Sequence, residues 1–278
     1  MNTKVTVAFL NFVTDKSVQN NIDQVLTLME QAKEKGAKWV FLPELWTHQS
    51  ASLDEFRTLS KQADQIVLTQ VQKACQMHQL VCFAGSWTET STHPDKFYNT
   101  QYVIDEKGEV ISKYRKVHLF KMDDGSPDPY RETKKFVPGE SAVTCQVDSW
   151  KVSLSTCFDI RFPEYYIACA KEGPVDVITV PSAFIQRTGR DHWEVLLRAR
   201  AIENQAYVIA SNRLGAHEDP RIKAYFGHSM VIDPWGTVLL DTKDELGVFT
   251  ATIDLQRISE VRTLLPLMKV KQYKKDIY

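Results

Sequence analysis

The 278-residue chain has 43% hydrophobic residues, enough to bury a large core, and a single domain over 1–278 is the simplest expectation. Its 34 Lys plus Arg balance 35 Asp plus Glu for a net charge of -1, which leaves no electrostatic footprint for nucleic acid or an anionic membrane. A small-molecule or protein partner is expected instead, and because no run approaches ~20 apolar residues and the N-terminal MNTKVTVAFLNF is too short for a secretory signal, a soluble, cytoplasmic protein is expected.

Val5 to Phe12 reads as a strand, followed by Val18, Ile22, Val25, Leu26 and Met29 at helical spacing until Gly36. KWVFL, residues 38–42, is a short buried-strand run that stops at Pro43-Glu44. Ser52-Leu53-Asp54-Glu55 is a capping-box pattern, and the helix it opens carries Phe56, Leu59, Ala63, Val67, Val71 and Ala74 on one stripe to about His78. Strands are expected over 80–87, 97–104 and 110–117, the last two joined by a turn at 105–108, which puts Lys116 near a hairpin end. Periodicity disappears from His118 to Gly139, and an ordered domain keeps a loop this long mainly to cover a site.

Strands at 143–147 and 151–156 lead to Cys157, and Pro163 then opens a helix that Gly173-Pro174 stops. Cys157 therefore sits at a strand-to-helix turn, and in open α/β sheets ligands bind beyond the carboxyl ends of strands. Further elements are a strand at 175–180, a helix that includes HWEVLLRARAIENQ, a strand at 206–210, and hairpin strands at 227–232, 238–240 and 248–253, with Trp235 in a turn. This order argues for a layered α/β sandwich.

The five cysteines, Cys75, Cys82, Cys145, Cys157 and Cys169, are odd in number and contain no CxxC, which argues for reduced thiols. Cys75 and His78 share an amphipathic helix with no second pair nearby, so they read as structural and no metal is expected. The common nucleotide, zinc-protease and serine-hydrolase fingerprints are absent. Spacing leaves His118 and His192 open as a base for Cys157.

PELW around Glu44, YRKVHLF around Lys116 and STCFDIRFPE around Cys157, with PSAFIQRTGRDHWEVLLRARAIENQ and FGHSMVIDPWG farther on, resemble the nitrilase, or carbon-nitrogen hydrolase, superfamily over nearly the whole chain. The resemblance implies a four-layer α-β-β-α sandwich assembled at least as a homodimer, with the C-terminal 264–278 expected in the oligomer contact. It implies Glu44 as general base, Lys116 as the catalytic cation, Cys157 as nucleophile and Glu132 as a second glutamate that orients the site. A thiol of pKa about 8.5 needs a neighbouring base or cation, and the Phe158 backbone N–H is the expected oxyanion donor. Asp159 and Arg161 are expected to fix the turn, with Arg161 also suited to a carboxylate. Ser182, Ala183 and Phe184 are expected as pocket wall, and His192 with Trp193 and Glu194 as a brace beside it.

The activity implied is cleavage of a small linear amide through a thioester, without cofactor and with water as second substrate. The motifs look most like the branch of deaminated-glutathione amidase and ω-amidase. An N-carbamoyl amino acid hydrolase or a nitrilase would use the same triad. A catalytically silent binding scaffold is the alternative from another class.

Overall fold

Lys4–Asn11 forms β1, and the chain returns through α1, Val18–Glu34, whose Val18, Ile22, Val25, Met29 and Ala32 lie buried along one face. Ser17 caps this helix by accepting from the Asn20 N–H at 3.2 Å. Ile22 and Met29 are fully buried, and truncating either to alanine is expected to cost about 2–5 kcal/mol. Next come β2 (Trp39–Phe41), α2 (Leu53–His78), β3 (Val81–Thr90), β4 (Phe97–Ile104) and β5 (Val110–Arg115). They are followed by β6 (Val143–Val147), β7 (Trp150–Leu154), α3 (Pro163–Cys169), β8 (Val177–Thr179), α4 (Gln186–Asn204) and β9 (Tyr207–Ala210). The series ends with β10 (Met230–Ile232), β11 (Val238–Asp241), β12 (Gly247–Asp254) and α5 (Leu255–Leu264). The computed structural model describes residues 3–267 apart from 124, 126, 128 and 217–222, so most of the C-terminal stretch expected in oligomer contacts lies outside the described residues.

The strands form two six-stranded sheets, ordered β12-β1-β2-β3-β4-β5 and β11-β10-β9-β8-β7-β6. Within each, the central parallel strands are β1, β2 and β3, and β7, β8 and β9. The sheets face one another across an apolar layer, where Trp39 packs edge-on to Trp150 at 5.7 Å between ring centroids. Gln101 on β4 donates across the same gap to Thr179 on β8 at 3.1 Å. Helices α1 and α2 cover the outer face of the first sheet, and α4 packs Trp193, Leu197 and Ala201 onto the second. This is the expected α-β-β-α sandwich.

Three local differences from the sequence reading have physical causes. The strand expected over 227–232 is extended only at Met230–Ile232, because Gly227 and His228 both take positive φ, +70° and +54°. Helix α5 follows β12 directly, with the Asp254 side chain capping Gln256; its apolar positions are too few to announce a helix by periodicity. Between Cys157 and Pro163 a 3-10 turn, Cys157–Arg161, intervenes before α3.

Candidate active site

The chain places its chemistry at the carboxyl ends of strands from both sheets. Glu44 follows β2, Lys116 follows β5, Cys157 follows β7 and Ser182–Phe184 follow β8. All of these strand ends converge at one end of the sandwich, beside an open cleft of about 840 Å³ including the solvent at its mouth.

Glu44 is held in a turn that only a glycine permits opposite it. Gly85 has φ +58°, and a Cβ there would lie 2.0 Å from the Pro43 carbonyl oxygen. The Ser86 N–H donates to that same oxygen at 3.2 Å, and the Trp46 indole donates to the Ala84 carbonyl at 2.9 Å. The Glu44 carboxylate is thereby fixed with Oε1 accepting from Lys116 Nζ and Asn99 Nδ2, both at 2.8 Å, and Oε2 accepting from the Ala183 N–H at 2.8 Å.

Lys116 is fully buried, and its ammonium donates to both oxygens of Glu132 at 3.0 and 2.8 Å as well as to Glu44. Glu132 sits on a 3-10 turn in the long loop and also accepts from the Phe120 N–H at 2.6 Å. Described residues of the aperiodic segment 118–139 thus border the cleft, with Phe120, Tyr130, Glu132, Lys135 and Phe136 in its lining. Burial alone would push Lys116 toward neutrality, but the Glu132 and Glu44 carboxylates outweigh it and hold the ammonium well above its usual range. Burial raises the Glu132 carboxyl despite the opposing pull of Lys116.

Cys157 has φ +48°, a left-handed conformation that costs an L residue about 1–2 kcal/mol. The strain is held by the Cys157 N–H donating to the Pro181 carbonyl at 2.9 Å and by Asp159 Oδ2 accepting from the Thr156 N–H at 2.8 Å. Burial and the Glu44 charge raise the thiol well above its ordinary value, against the opposing pull of Lys116. The resting sulfur is therefore a thiol. One lysine shared by two carboxylates leaves a net negative neighbourhood, so Lys116 cannot by itself turn the thiol into thiolate, and a proton acceptor is needed.

Asp159 is fully buried and ties the cysteine turn to the residues flanking Lys116. It accepts from Tyr114 Oη at 2.6 Å, from the His118 N–H at 3.1 Å and from His118 Nδ1 at 2.7 Å. The His118 ring stacks on Phe162 at 3.8 Å. His192 is exposed, 3.3 Å from Arg161 Nη1. Neither imidazole borders the cleft, which removes the support for His118 or His192 as the base of Cys157.

Phe158, Arg161, Ala183 and Phe184 line the cleft together with Glu44, Glu132 and Cys157. Arg161 lies over the Phe184 ring at 5.1 Å from its centroid. Ser182 is fully buried behind the wall, and its carbonyl accepts from the Arg213 N–H at 2.9 Å. Trp193 is a brace, donating to the His228 carbonyl at 2.8 Å. Trp235 is half exposed in its hairpin turn.

Cys75 is buried on α2 against Cys82, whose thiol is raised by burial and by Cys75. Among the described residues no group of three His, Cys, Asp or Glu could hold a metal ion, and no helix is long and apolar enough to cross a membrane.

Several groups at the site were not singled out by sequence, among them Asn99 beside Glu44 and the cleft residues His48, Lys135 and Arg213. Asn99 was findable: counting back across the β4–β5 hairpin pairs Thr100 with Arg115, which sets Asn99 opposite Lys116. His48, Lys135 and Arg213 carry no motif, although Arg213 lies just past the carboxyl end of β9.

The carbon-nitrogen hydrolase family profile matches residues 5–263. The chain belongs to the carbon-nitrogen hydrolase family. It is 35% identical over 276 residues to a rat protein named deaminated glutathione amidase, covering 98% of this chain and 83% of that one. It is 36% identical over 285 residues to the Schizosaccharomyces pombe probable hydrolase nit2, covering 99% of each. Among solved structures, the Caenorhabditis elegans NitFhit protein superposes with TM-score 0.89 at 30% identity, over 100% of this chain and 66% of that longer one. Saccharomyces cerevisiae Nit3, a member of branch 10 of the nitrilase superfamily, superposes with TM-score 0.85 at 28% identity, covering 98% and 97%. As a member of this family the chain is a carbon-nitrogen hydrolase that acts on small amides with water.

Proposed function

We propose that this carbon-nitrogen hydrolase is an amidase that cleaves an anionic 2-oxo acid amide, with deaminated glutathione slightly ahead of a 2-oxo acid ω-amide such as 2-oxoglutaramate. The observation that carries the catalytic part is the buried Glu44-Lys116-Glu132 array beside the strained thiol of Cys157. Relatives named deaminated glutathione amidase support the substrate class.

In this reading Cys157 Sγ attacks the amide carbon while Glu44 takes the thiol proton. The oxyanion forms near the Phe158 N–H and Lys116 Nζ, whose two contacts to Glu132 can share one proton and leave another for the developing charge. One such donor is worth about 3 kcal/mol in the transition state. Glu44 returns its proton to the departing nitrogen as the C–N bond breaks. It then takes a proton from the water that attacks the thioester, and the C–S bond breaks with the sulfur reprotonated. Glu132 keeps Lys116 charged and in place, and Asp159 fixes the turn that presents Cys157. Assembly as at least a homodimer and a cytoplasmic location belong to the same proposal.

Parallel assays of deaminated glutathione, 2-oxoglutaramate and an N-carbamoyl amino acid test it, reading amine, ammonia and acid released. Turnover of a 2-oxo acid amide at least tenfold above the carbamoyl compound is expected. Preference for the carbamoyl compound would transfer the same machinery to the carbamoylase alternative.

A further inference from the structure

Arg213 is 4% exposed and borders the cleft that contains Cys157. Its Nη1 donates to the Leu45 carbonyl at 3.0 Å, and its guanidinium carbon stands 4.4 Å from the centroid of the Tyr225 ring. Its Nε and Nη2 are buried and meet no hydrogen-bond acceptor among the described residues. A guanidinium is always charged, and buried charges are ordinarily paired. Nε and Nη2 form the side edge of the guanidinium, with two N–H bonds pointing the same way in the spacing of a carboxylate. The molecule itself shows that use: Arg115 donates from Nε to Glu89 Oε2 at 2.9 Å and from Nη2 to Glu89 Oε1 at 2.7 Å.

We infer that the Nε/Nη2 edge of Arg213 is a carboxylate subsite that holds the acyl half of the substrate. The inference rests on the amidase reading of the Cys157 cleft and adds to it the side chain that selects an anionic acyl group. Arg213 anchors to Leu45, the neighbour of Glu44, and is deeply buried, whereas Arg161 is half-buried beside exposed His192. The leaving amine must exit while the acyl half stays on Cys157, so the deep cation belongs to the acyl half. Its carboxylate would lock that half through both steps. The surroundings suit an anion: buried His48, which lines the same cleft, is held neutral down to about 3 by burial and by the positive charges of Arg213 and Lys135.

Calorimetry with 2-oxoglutarate, the acid that the proposed acyl half would become, tests the subsite without requiring turnover. Arg213→Gln keeps a donor for the Leu45 carbonyl and removes the charge; Arg213→Lys keeps the charge and loses the two-pronged edge. Thermal melting verifies that each variant is folded, and hydrolysis of uncharged butyramide reports on Glu44 and Cys157. The expected result is binding by wild type, weakening of about 30-fold in Arg213→Gln and a smaller loss in Arg213→Lys, with kcat/KM falling much further for 2-oxoglutaramate than for butyramide. No binding by wild type, or equal Kd in wild type and Arg213→Gln, overturns the subsite. Arg213-dependent binding with no amide hydrolysed by wild type leaves the subsite standing and overturns the amidase reading instead.

Discussion

Lys116 and Arg213 are both buried cations at one cleft, and they differ in what surrounds them. Lys116 donates to three carboxylate oxygens from Glu44 and Glu132. Arg213 has one protein carbonyl and an aromatic face, and its carboxylate-matching edge meets no protein acceptor among the described residues. The saturated cation belongs to machinery that is complete before substrate arrives. The unsaturated one is built for a group that the substrate brings.

The largest effect that would sharpen this contrast is at Lys116. Replacing it with methionine strands two buried carboxylates, so a stability loss of about 3–5 kcal/mol is expected from chemical denaturation. The same variant should lose about 10³-fold or more in kcat, because oxyanion stabilisation goes with the charge. A folded Lys116→Met enzyme with near-normal kcat would break the comparison.

Glu132→Gln should move two readouts in opposite directions. Removing one negative charge beside Cys157 lowers the thiol pKa, so alkylation at neutral pH accelerates, while looser positioning of Lys116 lowers kcat by about 10–100-fold. Parallel changes of both would contradict the roles given to the two glutamates.

Smaller effects appear in the pH dependence of stability. Lys116 is raised in the folded state, so its contribution is complete below the unfolded value of about 10.4 and is lost as pH rises beyond it. His48 is depressed to about 3, so its contribution is complete above about 6.5 and is lost as pH falls toward 3. Denaturation midpoints for Lys116→Met should have a shallower alkaline slope, the rest of it coming from buried thiols and phenols such as Cys157 and Tyr114 that are also raised, and those for His48→Gln should have a shallower acid slope. Glu89, depressed to about 2 by Arg115, Lys113 and Thr100 against the opposing effect of burial, contributes above about 4.3 and loses that contribution on further acidification toward 2. Its cation partners are more than a third exposed, so Glu89→Gln should cost only about 1 kcal/mol or less.

The sequence made the layered architecture legible because α1 and α2 repeat at helical spacing and β2 and β8 are short apolar runs. Glu44 and Cys157 were legible as strand-end residues, and their association with Lys116 and Glu132 came from motif resemblance. Periodicity said nothing about Glu132, because it lies in an aperiodic loop whose course depends on contacts across the cleft. The left-handed Cys157 was hidden for a similar reason. Its conformation is imposed by the Pro181 carbonyl and by Asp159, which are tertiary partners. Arg213 was silent because an arginine after a strand reads as surface until its burial and its missing acceptors are seen.

The most direct test of the account is intact-mass spectrometry of wild type and Cys157→Ala, quenched within one turnover of deaminated glutathione or 2-oxoglutaramate. The account predicts a transient acyl adduct on wild type, mapped to Cys157, appearing with stoichiometric release of the amine or ammonia and absent from Cys157→Ala. Undiminished amide hydrolysis by Cys157→Ala would contradict it.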